Sequence, residues 1–460
     1  MVSPSLRRRE VDLRLVPLGF AALIAFGTVL LRLPWTHREG QSVGWLDALF
    51  LSASATCVTG LSPVNVAESF NLFGEAVLLF LIQAGGLGIF TASITLVLLS
   101  GNRLSLADEQ AIHSTVGRLR EARPKDVFIY ACVFVFLLEL AGAVALFPLL
   151  EAASPNNTPW RTLWEAGFHS VSAFCNAGIS IYPEGMARWR QHPGILAVIN
   201  LLVIAGGIGL MTLINLRYFA FWRRDPRRRG RLTLQTRLAL AVAALLLVLG
   251  TGATMLFEWD HTLQAAGGWE RLSSALFHST MTRTAGFNVV EVGEMNPPTL
   301  LATLGLMFIG GAPGSMAGGI KTVTFAVLIM TAWSALRRRE EVQFWGRRIR
   351  PKLSNVAAMV TLLAGMCVLI GVGLLMLTED GRPASGTTHR WLAVVFEAVS
   401  AFCTVGLSTG ITPLLTGWGK LVIIALMFTG RVAPLVLSVY LARPANPLLV
   451  RHPKEELALG

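Results

Sequence analysis

Four short segments of this chain read as copies of one another: Cys57-Val58-Thr59-Gly60, Cys175-Asn176-Ala177-Gly178, Arg283-Thr284-Ala285-Gly286 and Cys403-Thr404-Val405-Gly406. A Phe lies ten residues before the glycine in three of them (Phe50, Phe168, Phe396) and nine before it in the third (Phe277). The glycines are 118, 108 and 120 residues apart. Recurrence at a near-constant spacing marks a repeat architecture. Because each segment lies between long apolar runs, the four Gly-ended loops imply a pore with fourfold pseudosymmetry. That arrangement can replace an ion's water shell with backbone carbonyls.

Composition supports a membrane chain. Hydrophobic residues make up 53% of the sequence and charged residues 14%, against about 25% charged in a soluble domain. The apolar runs are long enough to be transmembrane helices, and the N-terminus shows no clear cleavage site for a signal peptide. The net charge of +12 would suit a nucleic-acid binder, but the basic residues cluster in alternate loops. They lie at Arg103 to Lys125, at Arg223 to Arg231 and at Arg337 to Lys352, while Glu258, Asp260, Glu291, Glu294, Glu379 and Asp380 occupy the intervening loops. This is the positive-inside pattern. It puts the N- and C-termini in the cytoplasm and argues against nucleic acid as a partner. The five cysteines, Cys57, Cys132, Cys175, Cys367 and Cys403, have no zinc-like spacing, and a disulfide framework is not expected.

The pattern predicts an all-α polytopic membrane protein of four K⁺-channel-like repeats around a central pore. Each repeat is a span, a re-entrant pore helix, a loop and a second span, giving eight transmembrane helices plus four pore helices. After a cytoplasmic N-terminus (1–14), the first repeat covers 15–100, with spans near 15–35 and 74–99 and a half-helix near 44–56. A basic loop (101–126) leads to the second repeat, 127–221, with spans near 127–150 and 194–221 and a half-helix near 160–173. A second basic loop (222–231) leads to the third, 232–336, with spans near 232–257 and 299–333 and a half-helix near 269–281. A third basic loop (337–353) leads to the fourth, 354–442, with spans near 354–377 and 418–442 and a half-helix near 389–401, before a cytoplasmic C-terminus (443–460). Half-helices of about a dozen residues are too short to cross a bilayer. Non-helical backbone at membrane depth is tolerated where it is buried in protein or lines a wet cavity. Two full spans per repeat place all four loops on one side, so the repeats are parallel, unlike the inverted repeats of many secondary transporters.

The chemistry expected of the loops is carbonyl coordination of K⁺. Glycine permits backbone angles that strain other residues, and the re-entrant helix turns the negative end of its dipole toward the cation. Gly60, Gly178, Gly286 and Gly406, each with the three residues before it, are the filter candidates; the bland alternative is four ordinary turns after short helices. The second spans share a further register at Gly85-Gly86, Gly206-Gly207, Gly310-Gly311 and Gly430-Arg431, where small residues would let helices approach closely. In the third repeat the register opens into Gly310-Gly311-Ala312-Pro313-Gly314-Ser315-Met316-Ala317-Gly318-Gly319. No straight helix survives that composition, so a broken helix is expected there, its loop read as a gate, with a static kink packed against its neighbours as the alternative. Lys321, just beyond it, either faces the pore or snorkels. Arg431 is a costly charge in mid-span and should face the interior, as an electrostatic barrier in the pore or in a structural ion pair. Glu139, inside a span, reads equally as functional or as a helix contact. His113, His169 and His278 lack metal-ligand spacing, and no catalytic motif is present, so an enzyme is not expected.

These residues resemble the Trk/Ktr/HKT superfamily of potassium transporters, most closely its KtrB-type subunits. The chain lacks the two additional N-terminal helices of TrkH-type subunits. Gly60 matches the K⁺-conducting type of first loop, in contrast to the Ser-bearing, Na⁺-selective plant type. Gly310–Gly319 matches the family's intramembrane gating loop and Arg431 its basic residue in the last helix. The resemblance implies K⁺ uptake across a bacterial inner membrane by a homodimer with one pore per subunit, K⁺ in the filter and dependence on Na⁺. It also implies a cytoplasmic KtrA-like octameric RCK ring that binds ATP and ADP. The basic loops, 337–352 above all, would serve as docking surfaces or as contacts to anionic membrane lipids. A substrate-coupled secondary transporter of another cation is the alternative, disfavoured by parallel repeats.

Overall fold

The computed structural model of the chain describes residues 15–99, 124–222, 232–264, 266–339, 341–349, 351–379 and 390–442. The first repeat comprises α1 (Leu15–Arg32), the pore helix α2 (Trp45–Thr56), a single turn α3 (Val66–Ser69) and α4 (Leu72–Leu99). The second comprises α5 (Pro124–Ala153), the pore helix α6 (Pro159–Phe174), α7 (Pro193–Ile208) and α8 (Leu210–Trp222). The third comprises α9 (Leu234–Glu258), the pore helix α10 (Gly268–Met281), α11 (Pro297–Phe308) and α12 (Thr322–Leu336). The fourth comprises α13 (Pro351–Thr378), the pore helix α14 (Arg390–Phe402) and α15 (Gly417–Ala442). The N-terminus 1–14, most of the basic loops 101–126 and 222–231, and the C-terminus 443–460 lie outside the described residues.

Burial separates the helices into two shells. α5, α9 and α13, the first spans of three repeats, are each long and apolar enough to cross a bilayer, yet their most apolar windows are only 28, 28 and 17% buried. Val248, Leu256, Leu362 and Leu369 are more than two-thirds exposed. Such a surface needs lipid around it, because helices are the elements that satisfy their own backbone in hydrocarbon. The pore helices form the inner shell. Phe50, Phe168, Phe277 and Phe396, the phenylalanines of the repeat, are completely buried.

One device recurs between first span and pore helix. Ser52 Oγ donates to Ile24 O (2.7 Å), Ser170 Oγ to Glu139 O (2.6 Å) and Ser279 Oγ to Leu247 O (2.9 Å). One turn further along each span, Gly27, Gly142 and Gly250 make room for that serine; a methyl built there would fall on its Oγ. The fourth repeat has Ala398 in the serine's place. The same span glycines, with Gly371 in the fourth repeat, also face Leu81, Leu202, Leu306 and Leu426 of the second spans.

Two second spans are broken. The run near 299–333 divides at residues 309–321, as its glycines require. The run near 194–221, read from sequence as one span, is instead bent by 101° between α7 and α8. The bend is at Gly209, with φ 84° and ψ 148°, a region essentially restricted to glycine. The connection 337–353 is more ordered than a loop: Gln343–Phe344 pairs antiparallel with Arg347–Arg348, and Ile349 packs back against Val327 and Ala357.

Candidate functional site

Each pore helix gives way to left-handed backbone at the same two positions. φ is 56° at Val58, 59° at Asn176, 67° at Thr284 and 49° at Thr404, then 102°, 66°, 72° and 92° at Gly60, Gly178, Gly286 and Gly406. A β-branched residue at positive φ is a steric outlier, yet Val58, Thr284 and Thr404 hold it at one position of three repeats. Strain retained at corresponding places makes these loops the candidate site.

The strain is held by bonds back to the pore helix. Thr59 N–H donates to Ser54 O (2.8 Å), Ala177 N–H to Ser172 O (2.7 Å) and Val405 N–H to Ser400 O (2.8 Å). Gly60 and Gly406 N–H donate to the hydroxyls of Ser54 (3.0 Å) and Ser400 (3.1 Å). In the third repeat the one-residue-shorter spacing puts Met281 where the others have serine, and Gly286 N–H reaches Met281 O at 3.4 Å. Sequence reasoning passed over Ser54, Ser172 and Ser400, although each lies six residues before a loop glycine.

The four loops close into a ring. A methyl built on Gly60 would fall 2.5 Å from Ala177 O, and one on Gly286 would fall 2.5 Å from Val405 O. Built on Gly178 and Gly406, it would fall on Ala285 O and Thr59 O. Each glycine thus abuts the carbonyl preceding the next repeat's glycine, in the order first, second, third, fourth and back to first. Thr59, Ala177, Ala285 and Val405 supply four oxygens at one level. Among the described residues no three His, Cys, Asp or Glu side chains converge as metal ligands.

The first residue of each loop lies behind the ring. Cys57, Cys175 and Cys403 are free and fully buried. The Cys175 thiol lies 3.6 Å from Glu139 Oε1 and 3.8 Å from Gln83 Oε1, and Gln83 Nε2 donates to Glu139 Oε2 (3.1 Å). Glu139 is therefore a contact between α4, α5 and the second loop. Arg283 turns away from the ring and donates from Nη1 to Ala243 O of α9 (3.3 Å). Of the histidines, His169 Nε2 lies 3.1 Å from Ser180 Oγ and His278 Nε2 lies 3.0 Å from Thr303 Oγ1, as packing groups would; His113 lies outside the described residues.

Residues 309–321 cross the inner end of the ring, the end nearest the pore-helix C-termini. Gly310 N–H donates to Ile320 O (2.9 Å) and Ile320 N–H to Phe308 O (3.1 Å), so the two ends of the excursion are tied together. Its middle is pinned by two other repeats. Ala312 N–H donates to Gly207 O (2.8 Å) and Met316 N–H to Gly206 O (3.2 Å). Arg431, buried on α15, donates from Nη1 to Met316 O (2.7 Å). Arg431 thus holds the loop through a backbone carbonyl, and its Nε and Nη2 have no hydrogen-bond partner. Lys321 Nζ donates to Ala317 O (2.6 Å), within the loop itself. The break at Gly209 belongs to the same contact: a methyl there would fall 2.9 Å from Pro313 O. Gly85, Gly206 and Gly430 of the second-span register serve packing, since a methyl on each would strike the carbonyl of Thr56, Phe174 or Phe402 at a pore-helix end.

Four repeats of apolar spans and short pore helices, with a strained carbonyl ring and a loop across its inner end, define an integral membrane protein built for passing ions. The chain belongs to the TrkH family of cation transport proteins, whose sequence profile matches residues 17–446. It is 33% identical to the potassium/sodium uptake protein NtpJ of Enterococcus hirae, over 99% of this chain and 98% of that protein. It is 33% identical to the Ktr system potassium uptake protein B of Vibrio alginolyticus (97% of this chain, 94% of the relative) and 32% identical to that of Bacillus subtilis (97% and 96%). Its fold matches the potassium transporter TrkH from Vibrio parahaemolyticus with a TM-score of 0.71 at 17% identity, over 94% of this chain and 85% of that one. These relatives are cation transporters rather than enzymes.

Proposed function

We propose that this chain takes up K⁺ through the ring formed by residues 57–60, 175–178, 283–286 and 403–406, and that residues 310–319, held by Arg431, gate that path. The observation that carries the reading is the closed cycle in which each loop glycine abuts the next repeat's carbonyl. Such a ring presents neutral oxygens at a fixed spacing to a dehydrated cation. The relatives are named for potassium or potassium/sodium uptake, which supports K⁺ as the cargo and Na⁺ as a second ion that acts on transport. The reading extends to a homodimer with one ring per subunit, with both termini on the cytoplasmic side of a bacterial inner membrane. Two of these relatives are named as protein B of a Ktr system. That supports a separate regulatory component, here a cytoplasmic RCK-type ring binding ATP and ADP.

The test is uptake of K⁺, Rb⁺ and Na⁺ into proteoliposomes by wild type and by Gly60→Ser. A serine side chain at Gly60 must displace Ala177 O. The expected result is K⁺ and Rb⁺ flux in wild type and a shift toward Na⁺ in the variant. Identical ion preference in the two proteins would remove the ring as the selecting element. If wild type passes none of these ions, repeating the assay with a KtrA-like ring and ATP separates a closed pore from a wrong assignment.

A further inference from the structure

The crossing loop meets the ring itself at Gly318, which faces the third and fourth repeats. Gly318 N–H donates to Thr284 Oγ1 (3.2 Å), and both residues are buried. Thr284 is one of the left-handed positions, so its hydroxyl is aimed by the strained backbone of the filter candidate. Gly318 is also wedged against the fourth repeat, where a methyl would strike Cys403 O and Thr404 Oγ1. The third repeat differs from the others in two ways beside this contact. It lacks the serine that ties the Gly60 and Gly406 amides, and Arg283 anchors it outward to α9.

We propose that Thr284 is the latch between filter and gate, a positioning residue whose hydroxyl holds residues 312–318 across the inner end of the ring. The inference rests on the gate reading given above and names the group through which the two elements act on one another. The loop can leave the path only by giving up its bond to Thr284. Any rearrangement of the third filter loop that turns Thr284 away releases Gly318. The coupling is reciprocal, as any coupling between two sites is: ring geometry biases the gate, and the gate biases the ring.

Thr284→Val removes the acceptor and keeps the shape. Val58 already occupies the corresponding left-handed position of the first repeat, so the backbone tolerates valine there. Thr284→Ser keeps the acceptor. The experiment measures Rb⁺ uptake into proteoliposomes for wild type, both variants, a variant lacking 312–318, and that deletion combined with Thr284→Val. Amide hydrogen exchange of peptides covering 309–321 is followed on the undeleted proteins. Loss of one buried hydrogen bond changes an equilibrium by about three- to tenfold. Thr284→Val is therefore expected to raise both flux and loop exchange by about that factor, whereas Thr284→Ser is expected to keep the loop's exchange protection. In the deleted background the valine's effect on flux is expected to be smaller than in the full chain, because the contact to Gly318 is already gone. A valine effect of equal size with and without the loop overturns the latch, because the residue then acts through the ring alone. Unchanged exchange in Thr284→Val, with flux raised by the deletion, also overturns the latch while leaving the gate reading in place. A deletion that leaves flux at the wild-type level overturns the gate reading itself.

Discussion

Gly178 and Arg431 show two ways in which a single residue governs the site. At Gly178 the backbone is left-handed with φ 66°, and a methyl would strike Ala285 O and stand 2.9 Å from Gly286 Cα. The obstacles are backbone atoms of another repeat, so they cannot swing aside as a side-chain tip could. Gly178→Ala is expected to lower K⁺ flux by about tenfold or more, a tenfold effect being about 1.4 kcal/mol, in protein that is still inserted and monodisperse. Wild-type uptake by this variant would show that the ring is not on the ion path. Arg431 acts on the loop. Arg431→Ala leaves Met316 O without its donor and removes a buried charge with two unpartnered nitrogens. The expected outcome is raised flux with little change in thermal stability, since the lost bond and the relieved desolvation oppose one another. Reduced flux would instead assign the guanidinium to conduction.

At the scale of elements, the two broken spans belong together. α11 and α12 are separated by residues 309–321, and α7 turns into α8 at Gly209, whose neighbours are Pro313 and Gly314. The loop of the third repeat occupies space that a straight second span of the second repeat would need. Gly209→Ala combines a glycine-only conformation with a contact to Pro313 O and should cost about 1–3 kcal/mol. The check is a lowered melting temperature together with altered Rb⁺ flux. A variant that melts as wild type would mean that the 101° bend does not depend on glycine. These elements also show how far the sequence could be read. The pore helices were legible because Phe, an amphipathic run and a terminal Gly recur at a near-constant spacing, and the loop was legible because no helix tolerates Gly310 to Gly319. The break at Gly209 was not, because Gly206-Gly207-Ile208-Gly209 reads as helix packing unless the Pro313 contact is known. The partner of Arg431 was equally hidden. Sequence reasoning weighed acidic side chains and open pore, whereas the partner is a backbone carbonyl 115 residues away. The span glycines Gly27, Gly142, Gly250 and Gly371 were overlooked too, although a signal existed: Leu81, Leu202, Leu306 and Leu426 each lie four residues before the first glycine of the second-span register.

At the scale of the whole molecule, the pore is assembled from repeats that are covalently consecutive but must close on each other, and polar ties at the face where the pore helices begin address that closure. Arg161 joins Glu75 across the first and second repeats (2.9 Å), Arg190 joins Glu270 across the second and third (3.0 Å), and Lys420 joins Asp47 across the fourth and first (2.6 Å). The first of these is the most consequential, because the Glu75 side chain is fully buried while Arg161 is 31% exposed. Glu75 also accepts from Trp164 Nε1 (2.6 Å), and Arg161 additionally holds Glu165 (3.0 Å). Removing the arginine strands a buried carboxylate, whereas removing both partners does not. Arg161→Ala is expected to destabilise the protein by about 3 kcal/mol, the low end for such a loss because Trp164 retains one bond. Glu75→Gln combined with Arg161→Ala should recover part of it, since a neutral amide at position 75 has no charge to desolvate. Melting of the single and double variants in detergent checks both statements. A double variant less stable than Arg161→Ala alone would mean that the carboxylate is worth more to the Trp164 contact than its burial costs. The seam between the first two repeats would then rest on that contact and on packing, with the ion pair secondary.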